Sequence, residues 1–384
     1  MTTPSLSIGW FPRERFELAA ESLASLLAHS PPCPLFVVDA ATPRRILEGI
    51  RPVLVGAAAE IIPVERPVLP SEAKNLILSR VDTDYVALVE NDVLFTPGWL
   101  DALLAACEEA PADVAVPVIY DGRERKEHFD KHLGRIVASR DHRGRREILP
   151  MTGARNDGDA RRTVHFIEQH CVLYRTATFD RIGRFDEELN TRDEVDVSMA
   201  LWDAGCTVVL EPAAQVHYIP PPSWRPSDEE LPFYRYRWDL QRAARSRERI
   251  RQRWNLAETP GDLGFVRYRN LIARLPDVRC HLEGLSSGAA TVLLEDGDWF
   301  GTEITDGLDL SPFPELKGGY GGFPASDTAA MAELERRVAE GTRQIIVGFP
   351  AYWWFDYLPG LGQRLDELAV RTRDDELLRV YTVR

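Results

Sequence analysis

The chain has 384 residues, 44% hydrophobic and 28% charged, with a formal net charge of −14. That length exceeds one ordinary hydrophobic core and suits two, and the balance excludes disorder along the whole chain. The acidic excess argues against nucleic acid as the main partner, because phosphate backbones are met by basic faces, although a small phosphate-bearing ligand needs only a metal ion and a few local cations. Five cysteines (Cys33, Cys107, Cys171, Cys206, Cys280), an odd total without a CxxC pair, read as reduced thiols rather than a disulfide or zinc framework. The start, Met1-Thr-Thr-Pro-Ser-Leu-Ser, lacks the features of a signal peptide. No run of about 18 apolar residues suggests a transmembrane helix. The expectation is a cytoplasmic protein that would meet a membrane only peripherally, at its surface.

Taken in chain order, Leu6–Trp10 reads as a strand and Phe16–His29 as a helix. Leu35–Asp39 and Ala59–Val64 are further strands, Ser71–Ser79 a helix, Tyr85–Glu90 a fourth strand, and Val114–Pro117 a fifth. Between the last two, Pro97–Ala110 reads as a helix with proline at its start, where a missing N–H costs nothing. This alternation predicts an α/β fold, a Rossmann-like, mainly parallel sheet with helices on both faces, whose ligands bind beyond the carboxyl ends of the strands. Residues 121–163 break the pattern. They carry 12 Lys/Arg against 8 Asp/Glu, a local +4 in an acidic protein. A solvated insertion and a loop near phosphates explain that excess equally well. Order returns with Val164–Tyr174, interrupted by Glu168-Gln169-His170. A helix follows within Phe185–Gly205, which Asn190 or Thr191 could cap, and then a strand over Thr207–Leu210 leads to Pro212 and His217. Tyr234–Trp254 reads as one long arginine-rich helix with a solvated or interdomain face.

Glu258-Thr-Pro-Gly-Asp reads as a linker, dividing a domain over 1–260 from a smaller C-terminal α/β domain over 261–384. In the latter, Ala290–Leu294, Gln344–Phe349 and Leu378–Val383 read as strands and Thr328–Glu340 as a helix. Tyr352, Trp353, Trp354 and Phe355 follow a strand. Core packing explains such a cluster most simply, and a sugar-stacking role is the alternative.

The strongest chemical signal is Val86-Ala-Leu-Val-Glu90-Asn91-Asp92. Alternate residues of an extended chain share a side, so Glu90 and Asp92 can converge at the end of an apolar strand. Hard divalent cations favour such oxygen ligands and bind diphosphates at the same time. A turn after a strand is the plainer explanation of the pair taken alone. A second signal is Asp193-Glu194-Val-Asp196, carboxylates in the first turn of a helix, where capping is the plain explanation and an ionised general base the sharper one. His217 could be an ordinary core histidine or, with an acidic strand end, a metal ligand.

The order Asp39, Lys74-Asn75, Glu90-Asn-Asp92, Pro97-Gly-Trp-Leu100, Phe185-Asp-Glu187, Asp193-Glu194-Val-Asp196, Ala204-Gly205 and Pro212…His217 resembles family 2 glycosyltransferases over residues 5–220. The resemblance implies the GT-A form of the α/β fold and a metal-dependent, inverting transfer of a sugar from a nucleotide diphosphate donor to a glycan or other hydroxyl acceptor. It implies that Asp92, with Glu90 and His217, holds Mn²⁺ or Mg²⁺. It places Asp39 against the nucleotide base, favouring a UDP-sugar, and Lys74, Glu90 and Asn91 around the donor. Glu194, or Asp193, would be the catalytic base. The chain departs from the family pattern at Gly9-Trp-Phe-Pro-Arg13 and at Ala200, which keeps open a degenerate GT-A-like protein that only binds a nucleotide-sugar or glycan. A nucleotidyltransferase would carry a glycine-rich basic loop after the first strand, and Trp10–Arg15 has no glycine. The segments Pro312–Glu315, Gly319–Pro324 and Phe349–Trp354 resemble a C-terminal appendage of some bacterial glycosyltransferases, with a binding or scaffolding role implied.

Overall fold

The computed structural model describes residues 4–123, 135–140, 143–149, 160–219, 226–258, 263–286 and 290–384. They fall into two compact units, Met1–Asn270 and Leu271–Arg384. The division lies ten residues beyond the 260/261 boundary read from the sequence, a boundary placed in a linker most of which is outside the described residues.

In the first unit the strands are β1 (Leu6–Phe11), β2 (Leu35–Ala40), β3 (Ala59–Val64), β4 (Tyr85–Glu90), β5 (Val93–Phe95), β6 (Val114–Asp121), β7 (Arg135–Arg140), β8 (Arg146–Leu149), β9 (Arg162–Thr163), β10 (Cys171–Arg175) and β11 (Val208–Tyr218). Nine of them make one sheet in the order β3-β2-β1-β4-β10-β6-β11-β5, with β9 against β11. Strands β3, β2, β1 and β4 are parallel neighbours, as are β6 and β11, while β10 runs antiparallel between β4 and β6. The helices are α1 (Ala19–His29), α2 (Arg44–Val53), α3 (Pro70–Leu78), α4 (Trp99–Glu109), α5 (Thr178–Ile182), α6 (Asp193–Asp203), α7 (Leu231–Arg237) and α8 (Leu240–Arg253), and the division falls just before the last two residues of α9 (Gly264–Ile272).

Both faces of the sheet are covered, as the alternation predicts. Tyr85, Ala87 and Val89 of β4 pack with Leu23 and Leu26 of α1, Ile50 of α2 and Leu103 of α4. The intervening Val86 and Leu88 pack with Ile77 of α3, Val197 and Leu201 of α6 and Phe233 of α7. A central strand buried on both faces has to be apolar throughout, which is what hides its period-two signal.

Three local expectations change. The helix over 234–254 is two helices, because Asp239 leaves helical geometry and starts α8 as its N-cap, its side chain accepting from Arg242 N at 2.7 Å. Neither Asn190 nor Thr191 caps α6. Arg192 holds that position with φ 65°, and Asn190 instead donates to Arg237 O (3.0 Å) and accepts from Ser246 Oγ (2.9 Å). The strand expected to stop at Leu210 runs on to Tyr218, because a register shift between Glu211 and Gln215 takes Pro212 out of the ladder. Most of the basic segment 121–163 lies outside the described residues, which there include the antiparallel pair β7–β8.

The second unit contains α10 (Leu275–Leu285), β12 (Thr291–Leu294), β13 (Ser311–Phe313), β14 (Glu315–Leu316), β15 (Gly319–Tyr320), α11 (Asp327–Ala339), β16 (Gln344–Gly348), α12 (Trp354–Tyr357), α13 (Pro359–Leu368), β17 (Ala369–Asp374) and β18 (Leu378–Val383). Its sheet has the order β13-β12-β16-β18-β17, the first three strands parallel and the last two antiparallel. Ser326 caps α11 by accepting from Ala329 N at 3.2 Å.

Gly9 marks where α3 crosses β1. A Cβ there would lie 2.5 and 2.8 Å from the Ile77 side chain, inside contact distance. Gly9→Ala is expected to destabilise the first unit by about 1–3 kcal/mol through overpacking, read from urea unfolding.

Candidate functional site

Strand β4 delivers Glu90 to the carboxyl end of the parallel strands, and Asn91 and Asp92 turn the chain into β5. All three are buried. Asn91 shapes the turn, accepting from Arg13 N at 2.8 Å and donating to Arg15 O at 3.3 Å. Because β10 pairs antiparallel to β4 with Cys171 opposite Val89, His170 arrives beside Glu90. Glu90 N donates to His170 O (3.0 Å), and His170 Nδ1 shares a hydrogen bond with Glu90 Oε2 (2.5 Å). Glu90, Asp92 and His170 bring one ligand atom each to within 4.8 Å of one another.

His217 is not in that group. Neighbours on a strand face opposite sides. Tyr218 of β11 faces the site, its ring stacked on His170 at 3.9 Å and its hydroxyl 3.0 Å from Arg13 Nη1. His217 faces away, Nδ1 donating to Gly122 O at 2.8 Å and the ring stacked on Tyr120.

The electrostatics of the group are strained. Arg13 Nη1 donates to Glu14 Oε1 at 3.1 Å, and its guanidinium lies 3.4 Å from Glu90 and 3.6 Å from Asp92. Burial would raise the Glu90 carboxyl, but Arg13 and His170 overcome it and hold it down at about 2. Burial pushes Asp92 up to about 7, where Arg13 only partly offsets it and Glu90 adds to it. Both Asp92 carboxylate oxygens are buried without a hydrogen-bond partner. A buried carboxylate in that state is costly, and oxygen ligands beside an imidazole are what Mn²⁺ and Mg²⁺ take. The residues therefore fit a divalent cation.

The other sequence-marked residues come together on α6 and α3. Lys74, fully buried, donates to Asp193 Oδ2 (2.7 Å) and Gln169 Oε1 (3.1 Å), and its ammonium lies over the Phe11 and Phe185 rings. Burial would raise Asp193, but Lys74, with Arg237 helping, holds it below the usual carboxylate range. Glu194 goes the other way. Burial, then Glu168 and Asp193, push it up to about 7, and Arg192 Nη1 stands 3.5 Å off. Glu168 also approaches His170 Nε2 at 3.7 Å, so the two carboxylate groups share a field. Asp39, half-buried near the end of β2, accepts from Thr42 N at 3.1 Å.

Arg13, Gln169, His170 and Tyr218 are the residues missed from the sequence. The signal for two of them was the polar break Glu168-Gln169-His170 before an apolar strand. A strand running antiparallel beside β4 must bring its leading residues to the acidic turn.

A model of glycosyl transferase family 2 matches residues 13–183, from Arg13 through β10 and α5. Over those residues the chain is similar to glycosyl transferase family 2. The pre-mycofactocin glycosyltransferase of Mycobacterium tuberculosis, in two strains, is 28% identical over 169 residues, 42% of this chain and 33% of the relative. The match thus spans about a third of the curated relatives' length. Solved structures of similar fold include GalNAc-T7 with UDP, GalNAc and Mn²⁺ (14% identity, TM-score 0.46, 71% of this chain and 54% of the other). Others are Staphylococcus aureus TarS with UDP-GlcNAc (16%, 0.44, 74% and 83%) and the Pyrobaculum calidifontis mannosyltransferase PcManGT with GDP-Man and Mn²⁺ (11%, 0.42, 75% and 77%). Likeness at this level adds nothing to the strand order already described. Among the described residues no helix is long and apolar enough to cross a membrane.

A metal ion must displace the proton that Asp92 holds at low pH. Mn²⁺ is expected to raise the thermal midpoint clearly at pH 8 and less at pH 6, since a group titrating near 7 is largely protonated at the lower pH. Asp92→Ala should abolish the shift and His170→Ala should reduce it. His217→Ala should leave it unchanged.

Proposed function

We propose that this chain moves a sugar from a nucleotide diphosphate donor to an acceptor hydroxyl with inversion at the anomeric carbon, using Mn²⁺ or Mg²⁺. What carries the reading is the Glu90–Asp92–His170 group, with its unpartnered buried carboxylate, inside a family 2 domain. A divalent cation held there supplies positive charge against the negative charge that grows on the leaving diphosphate.

The rest follows from the chain's own residues. Glu194 accepts the proton of the acceptor hydroxyl as its oxygen bonds to the anomeric carbon and the carbon–phosphate-oxygen bond breaks. A base titrating near 7 suits proton transfer at neutral pH. Asp193 is the weaker candidate for that role, since its charge is already committed to Lys74 at 2.7 Å. Lys74 acts by positioning, joining α3 to the start of α6. Asn91 sets the turn that aims Asp92. Asp39, at the end of β2, is offered to the nucleotide base, with uracil favoured. The acceptor is a glycan or another hydroxyl compound.

Glu194→Gln is expected to lower kcat at least tenfold, within the roughly 10²–10⁴-fold worth of a general base, while donor binding measured by calorimetry persists. Wild-type kcat should rise with pH through about 7 as Glu194 ionises, and the variant should lose that rise. Turnover near the wild-type value in the variant removes Glu194 from the role. Donor binding without turnover in the wild type would favour the pure binding protein.

A further inference from the structure

In the second unit, β12, β13 and β16 run parallel, so their carboxyl ends share one edge. The chain goes from β12 to β13 on one side and then to β16 on the other side of β12. Connections that diverge in this way leave a crevice at the carboxyl end of the middle strand, the usual place for a ligand in an open α/β sheet.

One carboxylate gathers the three connections there. Asp296, two residues past β12, accepts from Tyr320 Oη (3.3 Å) and Trp354 Nε1 (3.4 Å) on Oδ1 and from Trp353 Nε1 (3.2 Å) on Oδ2. The backbone makes room for this. Gly297 has φ 84°, and a Cβ on it would stand 2.9 Å from the Tyr320 ring. Trp354 is fully buried and belongs to the core. Its neighbours do not. Phe323 and Trp353 are 41% and 40% exposed and lie stacked, centroids 4.9 Å apart at 19°, while Tyr357, 71% exposed, stands edge-on to Trp353 at 5.5 Å and 81°. Scattered exposed apolar side chains are ordinary, but adjoining aromatics at a strand-end crevice mark a binding surface.

The ring geometry selects the ligand. A cage for a quaternary ammonium turns several aromatic faces inward on one centre. Here two faces are spent on each other, and Asp296 already serves three donors. An exposed stacked pair with a third ring set across it suits the C–H face of a pyranose ring better than such a cage. We infer that Phe323, Trp353 and Tyr357, with Trp353 held by Asp296, form a saccharide-binding site in the second unit. Resting on the transferase reading, the site would hold the acceptor glycan.

The test is saturation-transfer NMR on the full chain with a panel of methyl pyranosides and, separately, choline chloride. Transfer to ring C–H protons of at least one pyranoside is expected. Trp353→Ala and the more exposed Tyr357→Ala should each weaken it at least fivefold, with thermal unfolding checking that both variants fold. Asp92→Ala should leave it unchanged. No pyranoside signal, a signal for choline alone, a signal indifferent to both aromatic variants, or one lost in Asp92→Ala would overturn the site. Because binding is read without turnover, failure of the transferase reading shows separately, in the Glu194 experiments.

Discussion

Asp92 is buried beside Glu90 with both oxygens lacking donors, and the local structure makes sense as the means of keeping it there. Two carboxylates this close cannot both ionise cheaply in a protein interior. Arg13 and His170 settle the matter in favour of Glu90, so the cost falls on Asp92. A strand buried on both faces holds the pair in register, and Asn91 fixes the turn between them. The guanidinium of Arg13, shared with Glu14 and Tyr218, supplies a single positive charge at ion-pair distance from Asp92 but no hydrogen bond to it. The arrangement is short of positive charge, and a divalent cation held there would relieve that shortage.

The Lys74–Asp193 pair is a different kind of buried charge. It is complete: 2.7 Å apart, with Gln169 taking a second hydrogen bond from the ammonium and two aromatic faces packed around it. Removing one partner of such a pair typically costs about 3–5 kcal/mol, because the other is left buried and unpaired. Its effect is geometric. It joins α3 to the first turn of α6, and Gln169 extends the tie to the residue preceding His170. The metal-fitting group and the acidic helix are therefore braced through one ammonium.

The parallel strands were legible because their apolar runs alternate with helices, and Glu90 and Asp92 because a period of two puts them on one side. The structure puts His170, rather than the expected His217, beside Glu90 and Asp92, and the sequence hides this for a related reason. His217 falls on β11, where the face a residue takes depends on a register shift around Pro212 that no pattern of residue types reveals. Tyr218, one residue on, is the one that faces the site. His170 was visible only as a polar break before a strand, and its place beside Glu90 depends on β10 entering antiparallel in an otherwise parallel neighbourhood. In the second unit, β17 escaped notice because Val370, Arg371 and Thr372 form a largely exposed edge with no apolar alternation. The interior strands β12 and β16 announced themselves by continuous burial.

Asp193 and Glu194 show why residue type alone could not divide their roles. They are adjacent carboxylates in the same helical turn, both under the same dipole. Asp193 points to a lysine and is held ionised, with its charge neutralised at contact distance. Glu194 feels the repulsion of Glu168 and Asp193 on top of its burial, which pushes it up to about 7. The same burial that would raise both is overcome in one case and reinforced in the other, by the charged neighbours each carboxylate meets. A group fixed in its charged form can brace but gains little by taking a proton, whereas one poised near 7 can take a proton and release it again. The chemistry available to the pair is thus set by where Lys74 lies, a residue 119 positions away in the chain.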